Sequence, residues 1–372
     1  MSVSMVDLQK VHARLEPQLT ETIQKVVAGG VYIRGNEVKM LEEEIGRYLS
    51  VPYVRGCANG TEALTIALMA LRLQPGDEVI TTTFSFIAAA EACALLGLTV
   101  VFADIDPKTY NIDAKEVERL VTPRTKAIIP VHLFGCPADM DRIMEVSRRH
   151  KLYVIEDAAQ AFGTEVTVGG ERKKVGTIGD IGCTSFFPTK NLGCMGDGGA
   201  IFTRSEELHK RICTIASHGA EKKYHSTEVG LNSRLDEIQA AILRLKLRHI
   251  DEYISRRRGA ALKYRKALAG NDFLVCPQMT DGHTFNQFTC RVNYGCRDDL
   301  RAYLTSRGIA TMIYFPEPIH RQPVFGKYND VALPEADKAS KEVLSLPMHS
   351  ELTDEQIAEV VEALNSWEIG KK

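Results

Sequence analysis

From about residue 57 onward, the hydrophobic positions of the chain fall into two alternating kinds of segment. Residues 61–73 are rich in helix formers and apolar on nearly all sides, which predicts a buried helix. Residues 139–150 predict another helix. Short, apolar, β-branched runs predict strands that are covered on both faces, at residues 78–81, 100–103, 127–131 and 152–155. Strands that alternate with helices indicate an α/β domain with a mostly parallel sheet.

After about residue 240 the pattern changes. Residues 235–269 predict a long, charged helix, and Gly270 is placed to end it. Residues 288–292 predict a strand. A last helix is predicted to start at Thr353, whose hydroxyl can cap it while Gln356 reaches back, as in a capping box. We therefore expect a large domain over residues 1–245 and a small domain over residues 246–372.

Composition narrows the class of protein further. The chain has 372 residues, 44% hydrophobic and 25% charged, and its 46 Lys plus Arg against 48 Asp plus Glu give a net charge of −2. Without a basic excess, we expect neither nucleic acid nor an anionic membrane as a partner. Nine cysteines with no C-x-x-C pair argue against a disulfide framework and for a reducing, cytoplasmic compartment. The most apolar window, residues 86–103, is broken by Glu91 and Gly97, so no membrane span is expected.

Several well-known catalytic motifs are absent from the sequence: G-x-x-x-x-G-K-[ST], G-x-G-x-x-G after a strand, H-E-x-x-H and G-x-S-x-G. Their absence weakens the kinase, nicotinamide dehydrogenase, zinc protease and hydrolase interpretations. His132 with Cys136, and His218 with His225, are pairs without a third ligand at a usable spacing, so we expect no metal site.

Three segments carry candidate chemistry, each with a structural alternative. Asn59-Gly60-Thr61 starts the buried helix, where free N–H groups favour an anion; an ordinary helix cap is the alternative. Asp157 follows a buried strand at the sheet edge where ligands bind, and its carboxylate can pair with a ring-nitrogen cation; a first-turn acid is the alternative. Lys190 lies between an aromatic stretch and a glycine-rich loop, where a Lys readily loses its proton and attacks carbonyls; a solvated surface Lys is the alternative.

Together with the polar loop at residues 230–236, these segments resemble the fold-type I pyridoxal 5'-phosphate (PLP) enzymes, and within them the DegT/DnrJ-type nucleotide-sugar aminotransferases. The most specific stretch is residues 185–193, Ser-Phe-Phe-Pro-Thr-Lys-Asn-Leu-Gly. The resemblance covers nearly the whole chain, from residues 28–33 to residues 345–349. It implies an α/β, fold-type I architecture: a large domain with a mostly parallel, seven-stranded sheet, and a smaller α+β C-terminal domain.

The resemblance also implies roles for individual residues. Lys190 would be the catalytic residue and bind PLP through a Schiff base, and Asp157 would pair with the pyridinium nitrogen. The other implied cofactor-binding residues are Phe86 on the ring face, Gln160 at the phenolic oxygen, and Gly60, Thr61, Ser185 and Asn232 at the phosphate. Asn232 would come from the neighbouring subunit, so the active unit would be a homodimer with shared active sites.

The implied reaction is a ping-pong transfer of an amino group from L-glutamate to a nucleotide-linked keto sugar. Family members that act at C3 tend to carry Gly-Asp-Gly-Gly after the Lys, as residues 196–199 do here. The nearest resemblance is to transaminases of a UDP-linked 3-keto N-acetylhexosaminuronic acid, which serve surface-polysaccharide and lipopolysaccharide synthesis. The family also implies four substrate contacts: His218, Tyr224, Tyr314 and His320.

Two alternative functions stay open. Residues 314–316 read Tyr-Phe-Pro where the family pattern usually has His-Tyr-Pro, which keeps a dTDP-linked 3-keto-6-deoxyhexose as a rival substrate. The other alternative is a non-catalytic, PLP-binding regulator. Related sugar dehydratases carry His in place of the Schiff-base Lys, so Lys190 argues against that activity.

Overall fold

The computed structural model describes residues 2–328 and 330–368, and its largest sheet has seven strands. The strands are β1 (Tyr53–Cys57), β2 (Glu78–Thr82), β3 (Thr99–Ala103), β4 (Thr125–Ile129), β5 (Tyr153–Asp157), β6 (Glu165–Val168), β7 (Glu171–Lys174), β8 (Ile181–Ser185), β9 (Gly199–Thr203), β10 (Ala220–Lys222), β11 (His225–Ser226), β12 (Leu274–Val275), β13 (Phe288–Val292) and β14 (Val343–Leu346). The large sheet has the order β1-β9-β8-β5-β4-β2-β3. Parallel pairings join β3, β2, β4, β5 and β8, whereas β9 runs antiparallel to β8 and β1. The predicted mostly parallel, seven-stranded sheet is confirmed.

Helices connect most of these strands. They are α1 (Leu8–Arg14), α2 (Gln18–Gly29), α3 (Asn36–Leu49), α4 (Gly60–Ala70), α5 (Ala88–Leu95), α6 (Ala114–Leu120), α7 (Met140–His150), α8 (Glu206–Ile215), α9 (Glu237–Leu247), α10 (Ile250–Ala267), α11 (Arg297–Ser306), α12 (Pro334–Glu342) and α13 (Asp354–Ser366). Short 3-10 turns lie at Leu133–Gly135, Ile319–Arg321 and Pro323–Tyr328. Across the described ranges, no helix is long and apolar enough to cross a bilayer.

Both faces of the large sheet are buried. Val79 of β2 packs in a cluster with residues of α4 and α5, whereas its neighbour Ile80 packs in a different cluster with residues of α6 and α7. In β4, Ile129 packs in the same cluster as Val79, and Ile128 packs in the same cluster as Ile80. Successive strand residues point to opposite faces, so helices must cover both sides of the sheet. This explains why the strands read as continuous apolar runs.

Helix α4 is the buried helix that the sequence predicts. Leu64 and Ile66 are among its buried side chains, and burial of a side chain of this size contributes about 1.5–3 kcal/mol. The helix ends at Ala70 rather than at residue 73, because Arg72 has a left-handed φ of 57° that a right-handed helix cannot contain. Packing of α4 against the sheet fixes the position of its first residue, Gly60.

The predicted single helix over residues 235–269 is wrong. The chain forms α9 and α10, which are separated at Arg248 and His249. His249 has φ of −109° and ψ of 3°, outside the helical range, and neither Gly nor Pro marks the break. Gly270, with a φ of 86°, follows the end of α10 as predicted.

The C-terminal part of the chain contains the antiparallel sheet β12-β13-β14. The predicted strand at residues 288–292 is confirmed as β13. The capping box is also confirmed, because Gln356 N–H donates to Thr353 Oγ1 at 3.2 Å and Thr353 N–H donates to Gln356 Oε1 at 3.1 Å. Buried apolar residues within 260–309 and 344–367, together with Val3, form a separate hydrophobic cluster. Buried residues within 319–343 instead belong to the cluster on one face of the large sheet. The division into domains at residue 245 stays a prediction.

Candidate active site

Three chain segments meet at one edge of the large sheet. Ser185 ends β8, and Gly199, which starts β9, pairs with Ser185 on one side and with Cys57 of β1 on the other. Gly60 begins α4 so close by that a Cβ at residue 60 would lie 2.7 Å from Ser185 Cβ. The Ser185 hydroxyl and the first turn of α4 therefore lie side by side.

This first turn offers N–H donors to a ligand. The Asn59 side chain caps the helix by accepting a hydrogen bond from Glu62 N–H at 2.8 Å. The amides of Gly60 and Thr61 lie in the same first turn, where a helix has no backbone carbonyl that could accept their hydrogen bonds. Together with the Ser185 hydroxyl and the helix dipole, they suit a phosphate group. The glycine at residue 60 leaves space that a side chain would fill.

Asp157 and Lys190 lie near each other beside this edge. Asp157 ends β5 and is buried, and its Oδ1 accepts a hydrogen bond from Ala159 N–H at 2.9 Å. Burial raises the pKa of Asp157, while that hydrogen bond and then the charges of Lys190 and His132 oppose the rise. Burial lowers the pKa of the half-buried Lys190, and Asp157 opposes that shift. Lys190 therefore loses its proton more easily than an exposed Lys, as a Schiff-base nucleophile requires.

A buried network holds Asp157 in place. The backbone N–H of His132 donates to the backbone oxygen of Asp157 at 3.0 Å. The His132 ring accepts from Ala138 N–H at its Nδ1 and contacts Glu156 Oε2 at 3.0 Å through its Nε2, so Nε2 carries the proton. The fully buried Glu156 also accepts three backbone hydrogen bonds at 2.7–2.8 Å, from Gly176, Ile178 and Gly179. The roles of His132 and Glu156 in this network are not predicted by the sequence.

A second network supports the turn that carries Lys190. Asn191, next in the chain, donates to Thr284 Oγ1 at 3.0 Å and to Phe162 O at 3.2 Å. Asn286 Nδ2 donates in turn to Asn191 Oδ1 at 3.2 Å. Thr284 and Asn286 come from the segment between β12 and β13, so residues almost 100 positions away hold this turn.

Phe86 and Gln160, the residues predicted to contact the cofactor ring and its phenolic oxygen, differ in exposure. Phe86 has 58% of its surface exposed, unusual for a Phe, and its ring can stack on a flat ligand. Gln160 is buried, and its Oε1 accepts from Phe134 N–H at 2.6 Å, which orients the side-chain amide. Contacts of either residue with PLP stay predictions.

The predicted substrate residues fall into two groups. His218 N–H donates to Leu231 O at 2.8 Å, and Ser217 forms a bridge to Asn232, so His218 and Asn232 lie together on an exposed surface. Tyr224 is 94% exposed on the same chain segment. All three roles stay predictions.

Tyr314 and His320 lie beside the segment that carries Phe86. Tyr314 is half-buried, whereas His320 is fully buried, with Nδ1 2.7 Å from Thr83 Oγ1. The structure thus places His320 behind the end of β2, where its ring supports Thr83. Direct contact of Tyr314 or His320 with substrate stays a prediction.

A basic pocket adjoins the His218 and Asn232 surface. Its cavity of about 400 Å³ is lined by three arginines and one lysine, with Glu42 as the acidic residue of the lining; the basic residues are Arg34, Lys39, Arg55 and Arg234. Arg34 donates to Ser217 Oγ, and the pKa of Arg34 is lowered by burial and then by the charges of Arg55 and Arg234. Arg55 Nη1 lies 3.7 Å from Glu42 Oε1. This pocket could not be predicted from the sequence, because its basic residues come from segments that are distant along the chain and share no recognisable spacing.

Comparison with known proteins identifies the family. The model of the DegT/DnrJ/EryC1/StrS aminotransferase family matches residues 14–365. The chain belongs to this family. Its members are PLP-dependent, so PLP is the cofactor, as predicted from the resemblance. Among the described residues, no group of three or more His, Cys, Asp or Glu side chains is placed to hold a metal ion.

Three curated relatives match nearly full length. A protein of Geobacillus stearothermophilus named pleiotropic regulatory protein is 47% identical, with 98% of each chain covered. UDP-N-acetyl-3-dehydro-alpha-D-glucosamine 3-aminotransferase of Acidithiobacillus ferrooxidans is 45% identical, with 96% of each covered. UDP-2-acetamido-2-deoxy-3-oxo-D-glucuronate aminotransferase of Pseudomonas aeruginosa is 42% identical, covering 98% of this chain and 100% of the relative.

Solved structures show the same fold. DesV of S. venezuelae, in complex with a ketimine intermediate, superposes with a TM-score of 0.94 at 36% identity and 98% coverage of both chains. NtdA of Bacillus subtilis with the bound cofactor PMP has a TM-score of 0.90 at 32% identity, covering 98% of this chain and 84% of that one. The predicted fold-type I architecture is confirmed.

Proposed function

We propose that this aminotransferase moves an amino group from L-glutamate to C3 of a UDP-linked 3-keto sugar that carries a 2-acetamido group. The observation that carries the substrate assignment is that two relatives with 45% and 42% identity, matched over nearly their whole lengths, are both named as aminotransferases of UDP-linked 3-keto sugars. One of these names includes a uronate and the other does not. The hexosaminuronate is therefore one of two candidate acceptors.

The site supports a division of labour among its residues. PLP, when bound, supplies an electron sink and carries the amino group between donor and acceptor. The amides of Gly60 and Thr61 and the Ser185 hydroxyl bind the phosphate, and the Asp157 carboxylate keeps the ring nitrogen protonated. Lys190 Nζ, as a neutral amine, would remove the proton from the α-carbon of the donor and, once protonated, pass it to the cofactor carbon that takes up the amino group. In the second half-reaction Nζ would take a proton back from that carbon and, as an ammonium, deliver it to C3 of the sugar.

The basic pocket supports an acidic, nucleotide-linked substrate. Three guanidinium groups and one ammonium group against a single lining carboxylate leave an excess of positive charge. Guanidinium groups match the oxygens of a diphosphate or a carboxylate through paired hydrogen bonds. Because the pocket lies beside His218 and Asn232, we assign it to recognition of the negative part of the substrate.

The assembly and biological setting are parts of the same proposal. We infer a homodimer in which Asn232 of each subunit completes the partner's phosphate site. The exposure of Asn232 and its position beside the basic pocket support this arrangement. We also infer a cytoplasmic location, where nucleotide sugars are made, and a role in surface-polysaccharide synthesis.

A screen of purified holoenzyme tests the function. The protein is mixed with L-glutamate and with UDP-linked 3-keto N-acetylglucosamine, its uronate or a dTDP-linked 3-keto-6-deoxyhexose, and 2-oxoglutarate formation is measured. We expect turnover with one of the UDP-linked sugars. Turnover with the dTDP-linked sugar alone would overturn the substrate assignment.

A non-catalytic regulator is the second candidate function. The name of the Geobacillus stearothermophilus relative favours it. An enzyme bleaches its Lys-bound cofactor absorbance when L-glutamate is added, whereas a yellow protein that is indifferent to every amino donor would favour the regulator.

A further inference from the structure

Two free cysteines lie at one end of the small antiparallel sheet, Cys290 inside β13 and Cys276 directly after β12. Val275, the last residue of β12, pairs with Arg291 of β13, and continuing that register by one residue would bring Cys276 opposite Cys290. Directly opposed residues of antiparallel strands have Cα atoms about 4.5–5.5 Å apart. That spacing falls within the range of about 4.4–6.8 Å that disulfides span. Cys276 also packs on the hydrophobic cluster that contains Cys290.

The two thiols have different environments. Cys276 is half-buried, whereas Cys290 is fully buried. The pKa of Cys276 is lowered, first by a hydrogen bond with Cys290 and then, against burial, by the charge of Arg265. Burial raises the pKa of Cys290 well above its usual value. Cys276 is thus suited to act as the nucleophile and Cys290 as the second thiol.

Cys213 provides an internal comparison. Cys213 and Cys276 are half-buried, and the other seven cysteines are buried. Burial raises the pKa of Cys213. Cys213 is a matched reference for the reactivity of Cys276, because the two thiols have similar solvent exposure and opposite pKa shifts.

We propose that Cys276 and Cys290 form a redox-active pair that a hydroperoxide converts into a cross-strand disulfide. The Cys276 thiolate attacks one oxygen of hydrogen peroxide, the O–O bond breaks, and a sulfenic acid and hydroxide form; the hydroxide becomes water by taking up the proton that the Cys276 thiol released. The Cys290 sulfur then attacks the Cys276 sulfur, the S–O bond breaks, and a second water leaves with the Cys290 proton. Each hydrogen peroxide accepts two electrons, and the two thiols supply them.

This disulfide would restrain a segment that supports the active site. Residues 277–289 lie between the two cysteines and include Thr284 and Asn286, which bond to Asn191 beside Lys190. Oxidation would close that segment into a loop. A reversible disulfide of this kind agrees with a reducing compartment, where disulfides are transient.

Peptide mapping of the holoenzyme tests the proposal. The protein is treated with a small excess of hydrogen peroxide, remaining thiols are alkylated, and the digest is analysed by mass spectrometry with and without reduction. We expect a peptide that links Cys276 to Cys290, restored to two alkylated thiols by reductant, while Cys213 stays alkylated. Cys213→Ser should keep the linked peptide, and Cys276→Ser should abolish it with turnover unchanged in reducing buffer.

Three outcomes would overturn the proposal. They are oxidation of Cys213 in preference to Cys276, conversion of Cys276 to sulfinic acid without a link to Cys290, and resistance of both thiols to peroxide. Each is read on the wild-type protein, so the conclusion does not depend on the folding of a variant.

Discussion

Replacing Gly60 by Ala should weaken PLP binding while leaving the fold intact. A Cβ at this position would lie 2.7 Å from Ser185 Cβ and 3.4 Å from Ser185 Oγ. Carbon atoms in contact prefer about 3.5–4.0 Å, so Ser185 must move away from the start of α4. A lost hydrogen bond to a charged group costs about 1.5–3 kcal/mol. The PLP dissociation constant should therefore rise about 10- to 150-fold.

A PLP titration of the apoprotein, followed by the absorbance of the Lys-bound cofactor, measures this change. Gly259→Ala is the matched control, because Gly259 lies inside α10 and a Cβ there would meet no atom within 4 Å. The control should bind PLP normally and gain up to about 1 kcal/mol of stability from helix propensity. Wild-type affinity in Gly60→Ala would refute the view that Gly60 and Ser185 together hold the phosphate.

Three further predictions concern the reaction, the substrate and the assembly. Asp157→Asn keeps an oxygen for the Ala159 amide but cannot hold the ring nitrogen protonated, so kcat should fall more than tenfold, which corresponds to about 1.4 kcal/mol of barrier. The melting temperature should stay normal, and a smaller fall in kcat would contradict the assigned role. Arg55→Ala should raise KM for the UDP-linked sugar about tenfold with little change in kcat, whereas Arg55→Lys should recover part of the lost affinity. An unchanged KM in Arg55→Ala would refute the assignment of the basic pocket to substrate binding. The variants Lys190→Ala and Asn232→Asp should each be inactive alone and regain activity after subunit exchange, because one of the two sites in a mixed dimer then has both wild-type residues. Mixed dimers that stay inactive after exchange has been demonstrated would exclude shared sites.

Local signals explain which parts of the fold could be predicted. The buried face of α4, the apolar strands and the Thr353 capping box depend on neighbours in sequence, and the structure confirms them. The break at residues 248–249 could not be predicted, because it has no Gly or Pro and tertiary packing sets its position. The sequence predicts that α4 ends at residue 73, three residues beyond its observed end at Ala70, because the left-handed conformation of Arg72 has no clear sequence signal.

The candidate site divides along the same line. Asp157 could be found from its place at the end of a buried strand, and Lys190 from its glycine-rich surroundings and the family resemblance. The roles of Glu156 and of the basic pocket could not be predicted, because they depend on contacts between residues that only folding brings together. The burial of His320 could not be predicted, since its partner Thr83 is 237 positions away.

Chemical trapping of the cofactor on its lysine tests the central claim most directly. The holoenzyme is reduced with borohydride, which converts the Schiff base into a stable secondary amine, and the pyridoxyl peptide is located by mass spectrometry. We predict a single label on Lys190, which disappears when L-glutamate is added before the reduction. A label on another lysine, or one that glutamate does not prevent, would contradict the account.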